Sequence, residues 1–329
     1  MLRKTCIAMC MLLSAPSWAQ TEATPAAVAA PETVLVVGQR PGPGMWKISK
    51  GDHVLWVFAT YSPLPVKMQW RSQQVEAVVS KSQLYLSPPT LGASVGVWGG
   101  LKLLPHMVGM RNNPGGAMLR EVVAPEVYAR WRVLKEKYGV GDDAERERPV
   151  FAAETLYRAG LKHAGFANGD EVSKAIEALL AKNKVKEMAS HVQLDVPNPG
   201  KTLKQFKQES MDDTACFKAT LERLETDIDV MRERANAWAK GDLGEIRKLS
   251  FADREAACQN AMTNSPALRD GLGLVQAEKR VRKLWLEAAE HALASYPTSF
   301  AMLKLNKVLR SDYVLTELKA RGYTVEAPD

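Results

Sequence analysis

The sequence has few cysteines, and its only long apolar stretch is at the N terminus. Four cysteines occur in 329 residues, and none of them forms a Cys-x-x-Cys pair. A dithiol redox centre or a zinc ribbon of that spacing is therefore excluded. Beyond the first 19 residues, no stretch approaches the roughly 20 uninterrupted apolar residues that cross a bilayer, so we expect no transmembrane segment.

Motifs for metals, cofactors and nucleic acids are also missing. No histidine pairs with another His, Cys or Glu at a ligand spacing such as His-x-x-x-His, so the histidines predict no metal site. The Gly-x-Gly at 271–273 has no preceding strand and no third glycine, so it is not a dinucleotide loop, and no cofactor is expected. Basic residues are scattered and are not interleaved with aromatics, which argues against nucleic-acid binding.

The N terminus has the layout of a cleaved secretory signal. Arg3 and Lys4 precede an apolar core, and Ser17-Trp18-Ala19 provides a small-residue cleavage site. We therefore predict a signal peptide over 1–19 and a periplasmic or secreted protein. Without Arg3 and Lys4 the chain keeps 42 basic and 37 acidic residues, a mildly cationic balance.

Removal of the signal leaves Cys216 and Cys258 as the only cysteines. An even number of thiols in an oxidising compartment predicts one disulfide between them. Closing a loop of about 43 residues would stabilise the fold by about 4 kcal/mol in the chain-entropy model. A structural role is favoured, because nothing in the sequence marks either thiol as reactive.

The pattern of apolar residues predicts an α/β fold whose central sheet uses both ends of the chain. Predicted strands cover residues 33–37, 45–48, 53–60, 84–86, 299–305 and 322–325. Predicted helices cover residues 70–82, 117–138, 148–165, 170–182, 212–240, 265–295 and 311–320. After a flexible lead-in at 20–32, we expect one domain over 33–329, with helices flanking the sheet and a large helical insertion at about 117–295.

The two longest predicted helices have continuous apolar stripes. In the first, over 212–240, the stripe recurs in steps of three and four from Phe217 to Trp238, and Gly241 ends it. The second covers 265–295. Two such helices joined by a short helical stretch suggest an antiparallel hairpin, with the Cys216–Cys258 bridge tying the connection to the first helix.

Four short segments resemble the TraB/GumN family, whose animal relatives are the TIKI metal-dependent proteases. They are GDHVLW at 51–56, PLP at 63–65, WRS at 70–72 and LKARGY at 318–323. The resemblance covers both ends of the chain, and the middle only by its helical content. It implies a site in which a Gly-x-x-His after the first core strand, a Glu after the second, another Gly-x-x-His after a late strand, and a helical Arg converge on a divalent cation.

This sequence departs from the family pattern at each metal-binding position. The first Gly-x-x-His falls on Ala59-Thr60-Tyr61-Ser62, the Glu falls on Ser87, and the second Gly-x-x-His falls on Lys304-Leu305-Asn306-Lys307. The helical Arg matches Arg280 or Arg282. Two hydroxyls and an ammonium do not replace two imidazoles and a carboxylate, so we expect no metal at this site.

Two rival readings remain for an enzyme. Gly92-Ala93-Ser94-Val95-Gly96 matches the Gly-x-Ser-x-Gly of a nucleophile elbow, with Ser94 as the nucleophile. Its context is poor, because prolines separate it from the predicted strand at 84–86 and no helix obviously begins at Ser94. Alternatively, Ser62 and Lys307 could form a Ser-Lys pair, if the lysine is desolvated.

The sequence thus predicts an exported TraB/GumN-like protein that is a catalytically degenerate relative of metal-dependent peptidases. Its expected role is binding or accessory, with a protein or peptide ligand that the sequence does not identify. The alternative function is a peptidase or hydrolase with an unconventional site at Ser62 and Lys307, or at Ser94.

Overall fold

The computed structural model describes residues 42–93, 96–167, 169–194, 196–249, 254–310 and 313–328. The predicted signal peptide, the lead-in and the strand at 33–37 lie outside these residues, and so does Ser94. In the part of the chain that is described, no helix combines the length and the apolar character needed to cross a membrane.

Eight strands are present among the described residues. They are β1 (Met45–Lys50), β2 (His53–Thr60), β3 (Leu84–Leu86), β4 (Thr90–Ala93), β5 (Lys186–Met188), β6 (His191–Leu194), β7 (Thr298–Lys304) and β8 (Thr324–Glu326). Six of them form a sheet in the order β5-β3-β7-β2-β1-β8, and β4 and β6 form a separate pair. This confirms the predicted α/β class and the central sheet made from both ends of the chain.

The four neighbouring strands β5, β3, β7 and β2 are parallel, whereas β1 and β8 run antiparallel to their neighbours. In the central pair, Val54 of β2 is opposite Thr298 of β7, and Thr60 is opposite Lys304. Both strands are near-continuous apolar runs, as expected of parallel strands covered on both faces. Their carboxyl ends therefore meet at one edge of the sheet.

Helices cover the sheet and build the rest of the fold. They are α1 (Gln73–Val79), α2 (Gly96–Met107), α3 (Leu119–Val122), α4 (Pro125–Tyr138), α5 (Pro149–His163), α6 (Glu171–Lys182), α7 (Pro199–Gln208), α8 (Thr214–Thr226), α9 (Ile228–Lys240), α10 (Leu243–Lys248), α11 (Arg254–Asn264), α12 (Pro266–Gly271), α13 (Leu274–Ser295), α14 (Leu305–Val308) and α15 (Val314–Ala320). Short 3-10 helices lie at Pro114–Gly116 and Asp142–Arg146.

The predicted helical hairpin is wrong. The helix expected over 212–240 is divided at Asp227, whose φ of −113° interrupts the helical backbone between α8 and α9. The apolar stripe also serves different cores: its first half packs with α4, α5 and α11, and its last residues, Ala235 and Trp238, pack against the sheet. The second long helix, α13, packs on the sheet as well. An apolar stripe predicts that one side of a helix is buried, but it does not predict which element packs against that side.

The middle of the chain is not purely helical. Within the predicted insertion, β5 joins the main sheet beside β3, and β6 pairs with β4. Both strands are short, and their residues are mostly exposed, so they lack the apolar alternation that marks a strand in sequence. The sheet therefore receives one edge strand from the insertion.

The predicted disulfide is confirmed. Cys216 of α8 and Cys258 of α11 are bonded, with a Cα–Cα distance of 4.4 Å. The bond fixes α11 to α8. Helices α9 and α10 lie between them in the sequence. Ala261 and half-buried Met262 of α11 then pack in the same helical core as α8.

Candidate functional site

The family-matched positions follow strands that end at one edge of the sheet. Ser62 lies two residues after β2, Ser87 directly after β3, and Lys307 three residues after β7. Because these strands are parallel, their carboxyl ends share an edge, the place where open α/β sheets bind ligands. The strands do not end at the same level, however. Leu86, the last residue of β3, pairs with Ala301, and β7 continues for three more residues.

Ser62 is exposed and lies against the loop that precedes α6. A Cβ built on Gly169 would come within 1.7 Å of Ser62 Oγ, and Gly169 has a φ of +90°. Only glycine fits this position, because it has no side chain and tolerates the left-handed region. The loop before α6 therefore covers the end of β2. Two residues earlier on the same loop, Ala167 N donates to Leu64 O at 2.8 Å.

The end of β7 is held by a carboxylate from the helical region. Glu255 of α11 accepts hydrogen bonds from Lys304 Nζ at 3.1 Å and from Asn306 Nδ2 at 2.8 Å. The segment that aligns with the second Gly-x-x-His is thus fixed by an ion pair and an amide contact. These contacts hold the segment in place. The segment contains no histidine, so they do not position an imidazole at this strand end.

Lys307 and Arg282 meet at one aromatic ring. Lys307 Nζ lies 5.6 Å from the ring centroid of Tyr313, and Arg282 Cζ lies 5.7 Å from it. Arg282 also pairs with Glu317 at 3.1 Å. No hydrogen bond between described residues joins Lys307 to Ser62 or to Ser87, so the Ser-Lys pair has no supporting contact and stays a prediction.

Ser87 is half-buried, and its backbone N donates to Met188 O at 3.3 Å, which continues the ladder between β3 and β5. Of the four family-matched positions, the structure thus brings Lys307 and Arg282 together, and places Ser62 and Ser87 at the ends of other strands. Within the described residues, no group of three His, Cys, Asp or Glu side chains is arranged to hold a metal ion.

A buried ionic cluster lies behind the first motif, and sequence reasoning missed it. Asp227 pairs with Arg234 through two contacts of 2.9 and 3.0 Å, and with Arg223 at 3.4 Å. All three residues are at least nine-tenths buried, and both arginines act electrostatically on the buried hydroxyl of Tyr61. The signal was present as polar residues at helical spacing beside the apolar stripe of α8 and α9.

Burial controls the protonation of Tyr61. Desolvation raises the pKa of Tyr61 to about 12, and the positive charges of Arg223 and Arg234 only partly oppose that shift. The phenol is therefore protonated at neutral pH. In this state it can donate a hydrogen bond.

A cavity of about 610 Å³ adjoins the end of β2. The loop after β2 and the loop between α5 and α6 form its walls, and they are joined by Val66 N donating to Gly165 O at 2.9 Å. Its apolar lining consists of Leu64, Pro65, Val66, Met68, Trp70, Ala159, Phe166, Ala167 and Val172. Its charged lining consists of Lys67, Arg158, Lys162 and Glu171. The cavity is therefore an apolar space with a mostly cationic rim.

The surroundings of the Gly-x-Ser-x-Gly segment differ from the expectation. Strand β4 ends at Ala93 and helix α2 begins at Gly96, so the segment does connect a strand to a helix. The strand was missed because Pro88 and Pro89 hid its start. The imidazole of His191 lies beside β4: a Cβ on Gly92 would be 2.6 Å from His191 Cε1. Ser94 itself lies outside the described residues.

Replacing Tyr61 with Phe should change how stability depends on pH. The folded pKa of about 12 exceeds the ordinary value of about 10, so the stability linked to the protonated phenol is complete below pH 10 and is lost as pH rises towards 12. Between pH 9 and pH 11 we expect the free energy of unfolding of the wild type to fall by roughly 1 kcal/mol more than that of Tyr61→Phe. Urea unfolding over this pH range measures it, and parallel curves would contradict the assignment.

Comparison with known proteins identifies the family. The model of the TraB/PrgY/gumN family matches residues 44–327, which is most of the chain. Comparisons with curated proteins and with solved structures gave no match. The matched region contains every strand of the sheet and every family-aligned position described above. The chain therefore belongs to the TraB/PrgY/gumN family.

Proposed function

We propose that this protein is an exported member of the TraB/PrgY/gumN family that has lost the metal site of its peptidase relatives and acts by binding a ligand. The observation that carries the proposal is the ammonium of Lys307 after β7, together with hydroxyls at Ser62 and Ser87 after the neighbouring strands. The family resemblance implies two imidazoles and a carboxylate at these positions.

The donor set does not fit a divalent cation. Serine hydroxyls are weak neutral donors, and an ammonium has no lone pair to offer and repels the ion. Lys307 Nζ also lies over the ring of Tyr313, and the preceding motif residues Lys304 and Asn306 are hydrogen-bonded to Glu255. No catalytic step through a metal at this edge is derived for this chain.

Export is supported by two independent features. The first 19 residues have the charge, apolar core and small-residue triplet of a cleaved signal. The Cys216–Cys258 bond fits an oxidising compartment such as the periplasm or the exterior. Both features support the proposal that the protein is exported.

The cavity beside the end of β2 is the proposed ligand site. Its apolar lining suits an aliphatic or aromatic side chain, and Lys67 and Lys162 at its rim have no ion-pair partner among the described residues. A peptide segment that presents an apolar side chain next to a carboxylate matches both properties. Arg158 contributes less, because it is already paired with Glu154 at 2.6 Å.

A serine hydrolase is the second candidate, because a strand and a helix flank the Gly-x-Ser-x-Gly segment. His191 would be the base. His191 belongs to β6, and its imidazole lies beside Gly92 of β4, with its ring nitrogens near Thr90 Oγ1 at 3.0 Å and Gln193 Oε1 at 3.3 Å. In this mechanism the imidazole would accept the serine proton.

Metal titration tests the loss of the peptidase site. We expect no stoichiometric zinc, cobalt or manganese binding by the wild-type chain in calorimetry, and no cleavage of fluorescein-labelled casein, because the ligand positions hold hydroxyls and an ammonium. The triple variant Ser62→His, Ser87→Glu, Lys307→His restores the donors that the family resemblance implies, and cobalt binding by it with a tetrahedral absorption spectrum would show that the three positions can converge on one ion. Lys307→His alone supplies one donor and serves as the control. Stoichiometric binding and cleavage by the wild type would overturn the proposal.

The apolar anion 8-anilinonaphthalene-1-sulfonate tests the cavity. We expect saturable binding by the wild type, and about fivefold weaker binding for each of Lys67→Glu and Lys162→Glu, because each reversal removes a favourable charge contact of about 1 kcal/mol. Lys186→Glu, which changes an exposed lysine of β5 by the same charge, is the matched control. Equal affinities in all four proteins, measured by fluorescence titration, would exclude the cavity as the binding site.

A fluorophosphonate probe decides the second candidate. If Ser94 is a nucleophile, the wild type is labelled, Ser94→Ala is not, and His191→Gln is labelled far more slowly because the base is lost. Ser87→Ala is the control for labelling of other serines. Absence of labelling in the wild type, detected by intact mass spectrometry, is the outcome expected of a binding protein.

A further inference from the structure

Helix α2 and the residue that follows it carry an exposed apolar ridge. The ridge consists of Leu101, Leu104, Met107 and Val108, which are between 50% and 73% exposed. Leu101, Leu104 and Met107 recur in steps of three along α2, and Val108 follows directly after the helix ends. Scattered exposed leucines are ordinary, but four large apolar side chains on one ridge mark an interaction surface.

The opposite side of α2 attaches the helix to the protein. Leu103 and His106 lie next to Gly200 at the start of α7, where a Cβ on Gly200 would be 3.5 Å from His106 Nε2 and 3.9 Å from Leu103 Cδ2. Lys207 of α7 donates to Val108 O at 2.8 Å, just beyond the end of α2. These contacts attach α2 to α7 and leave the ridge exposed to solvent.

The surroundings of the ridge are cationic. The sequence has no Asp or Glu between Glu76 and Glu121, and α7 has none either. Lys102 of α2, and Lys201 and Lys204 of α7, are exposed and have no ion-pair partner among the described residues. Apolar side chains flanked by lysines, without carboxylates, are the composition of helices that lie in the interface of an anionic membrane.

We propose that the ridge of α2 inserts into the surface of an anionic lipid bilayer, with the lysines of α2 and α7 contacting lipid phosphates. Two observations favour a bilayer over an acidic protein. The ridge is a convex row of aliphatic side chains rather than a groove, and its cations are lysines, whereas protein interfaces concentrate Trp, Tyr and Arg in pockets. This surface shares no residue with the cavity beside β2, so the proposal does not depend on the ligand of that cavity.

Cosedimentation of the full chain with vesicles tests this proposal. We expect at least tenfold stronger partitioning onto vesicles of equal parts phosphatidylglycerol and phosphatidylcholine than onto phosphatidylcholine alone, with a steep decrease as salt is raised. The variant Leu101→Ser, Leu104→Ser should bind the anionic vesicles at least tenfold more weakly. The variant Lys102→Gln, Lys201→Gln, Lys204→Gln should do the same, since each lysine near the surface contributes about a fivefold factor at most.

Two matched controls separate the ridge from general effects. Val133→Ser removes an equally exposed apolar side chain from α4, and Lys186→Gln, Lys218→Gln, Lys279→Gln removes three exposed lysines elsewhere. Both controls should bind as the wild type does, and the N terminus is the same in all variants. Equal binding to both vesicle types, or wild-type binding by the ridge variants, would overturn the proposal. So would a wild-type dimer that Leu101→Ser, Leu104→Ser converts to monomer in sedimentation velocity, because the ridge would then bind a second copy.

Discussion

The contact between Trp238 of α9 and the end of β2 connects the helical region to the central sheet. Trp238 Nε1 donates to Ala59 O at 2.7 Å, and its ring packs with Phe58 and Trp70 at centroid distances of 6.2 and 6.0 Å. The bond satisfies a buried indole N–H, and the aromatic cluster removes a large apolar surface from water. Trp238 thereby fixes the carboxyl end of β2, where the segment matched to the first Gly-x-x-His begins.

The sheet imposes a second constraint, because its central pair comes from distant parts of the chain. Residues of β2 pair with residues of β7 that lie 244 positions later, and the loops that follow both strands form the candidate edge. Such non-local pairing carries the entropic cost of closing the long intervening chain. The edge and the buried cluster of Tyr61, Arg223, Asp227 and Arg234 are therefore products of the whole fold rather than of a local motif.

Much of this architecture follows from periodicity and turn residues. Apolar runs predicted β2 and β7, and the glycine turn predicted β8, because these strands are long or sharply bounded. The family resemblance was confirmed by a match over residues 44–327, a range that includes these strands. The break at Asp227 was not predictable from the stripe, since an apolar stripe fixes only which side is buried. Strand β5 was missed because Lys186 and Glu187 are exposed at the edge of the sheet.

The candidate site was predictable only as positions along the chain. Alignment placed Ser62, Ser87 and Lys307 after three strands, and the parallel pairing puts those strand ends on one edge. What each side chain touches depends on residues far away in sequence: Gly169 for Ser62, Tyr313 for Lys307. Arg223 and Arg234 were passed over because a charged residue on a helix is usually solvated, and only the tertiary structure shows them buried.

The position of the disulfide relative to Glu255 has a mechanical consequence. Cys258 lies one helical turn after Glu255 in α11, so the covalent link to α8 anchors the same turn whose carboxylate holds Lys304 and Asn306. The disulfide thus restrains the helical turn that carries Glu255, and through Glu255 it restrains the residues at the end of β7. Thiol reagents that open this link would loosen the sheet edge without touching any residue on it.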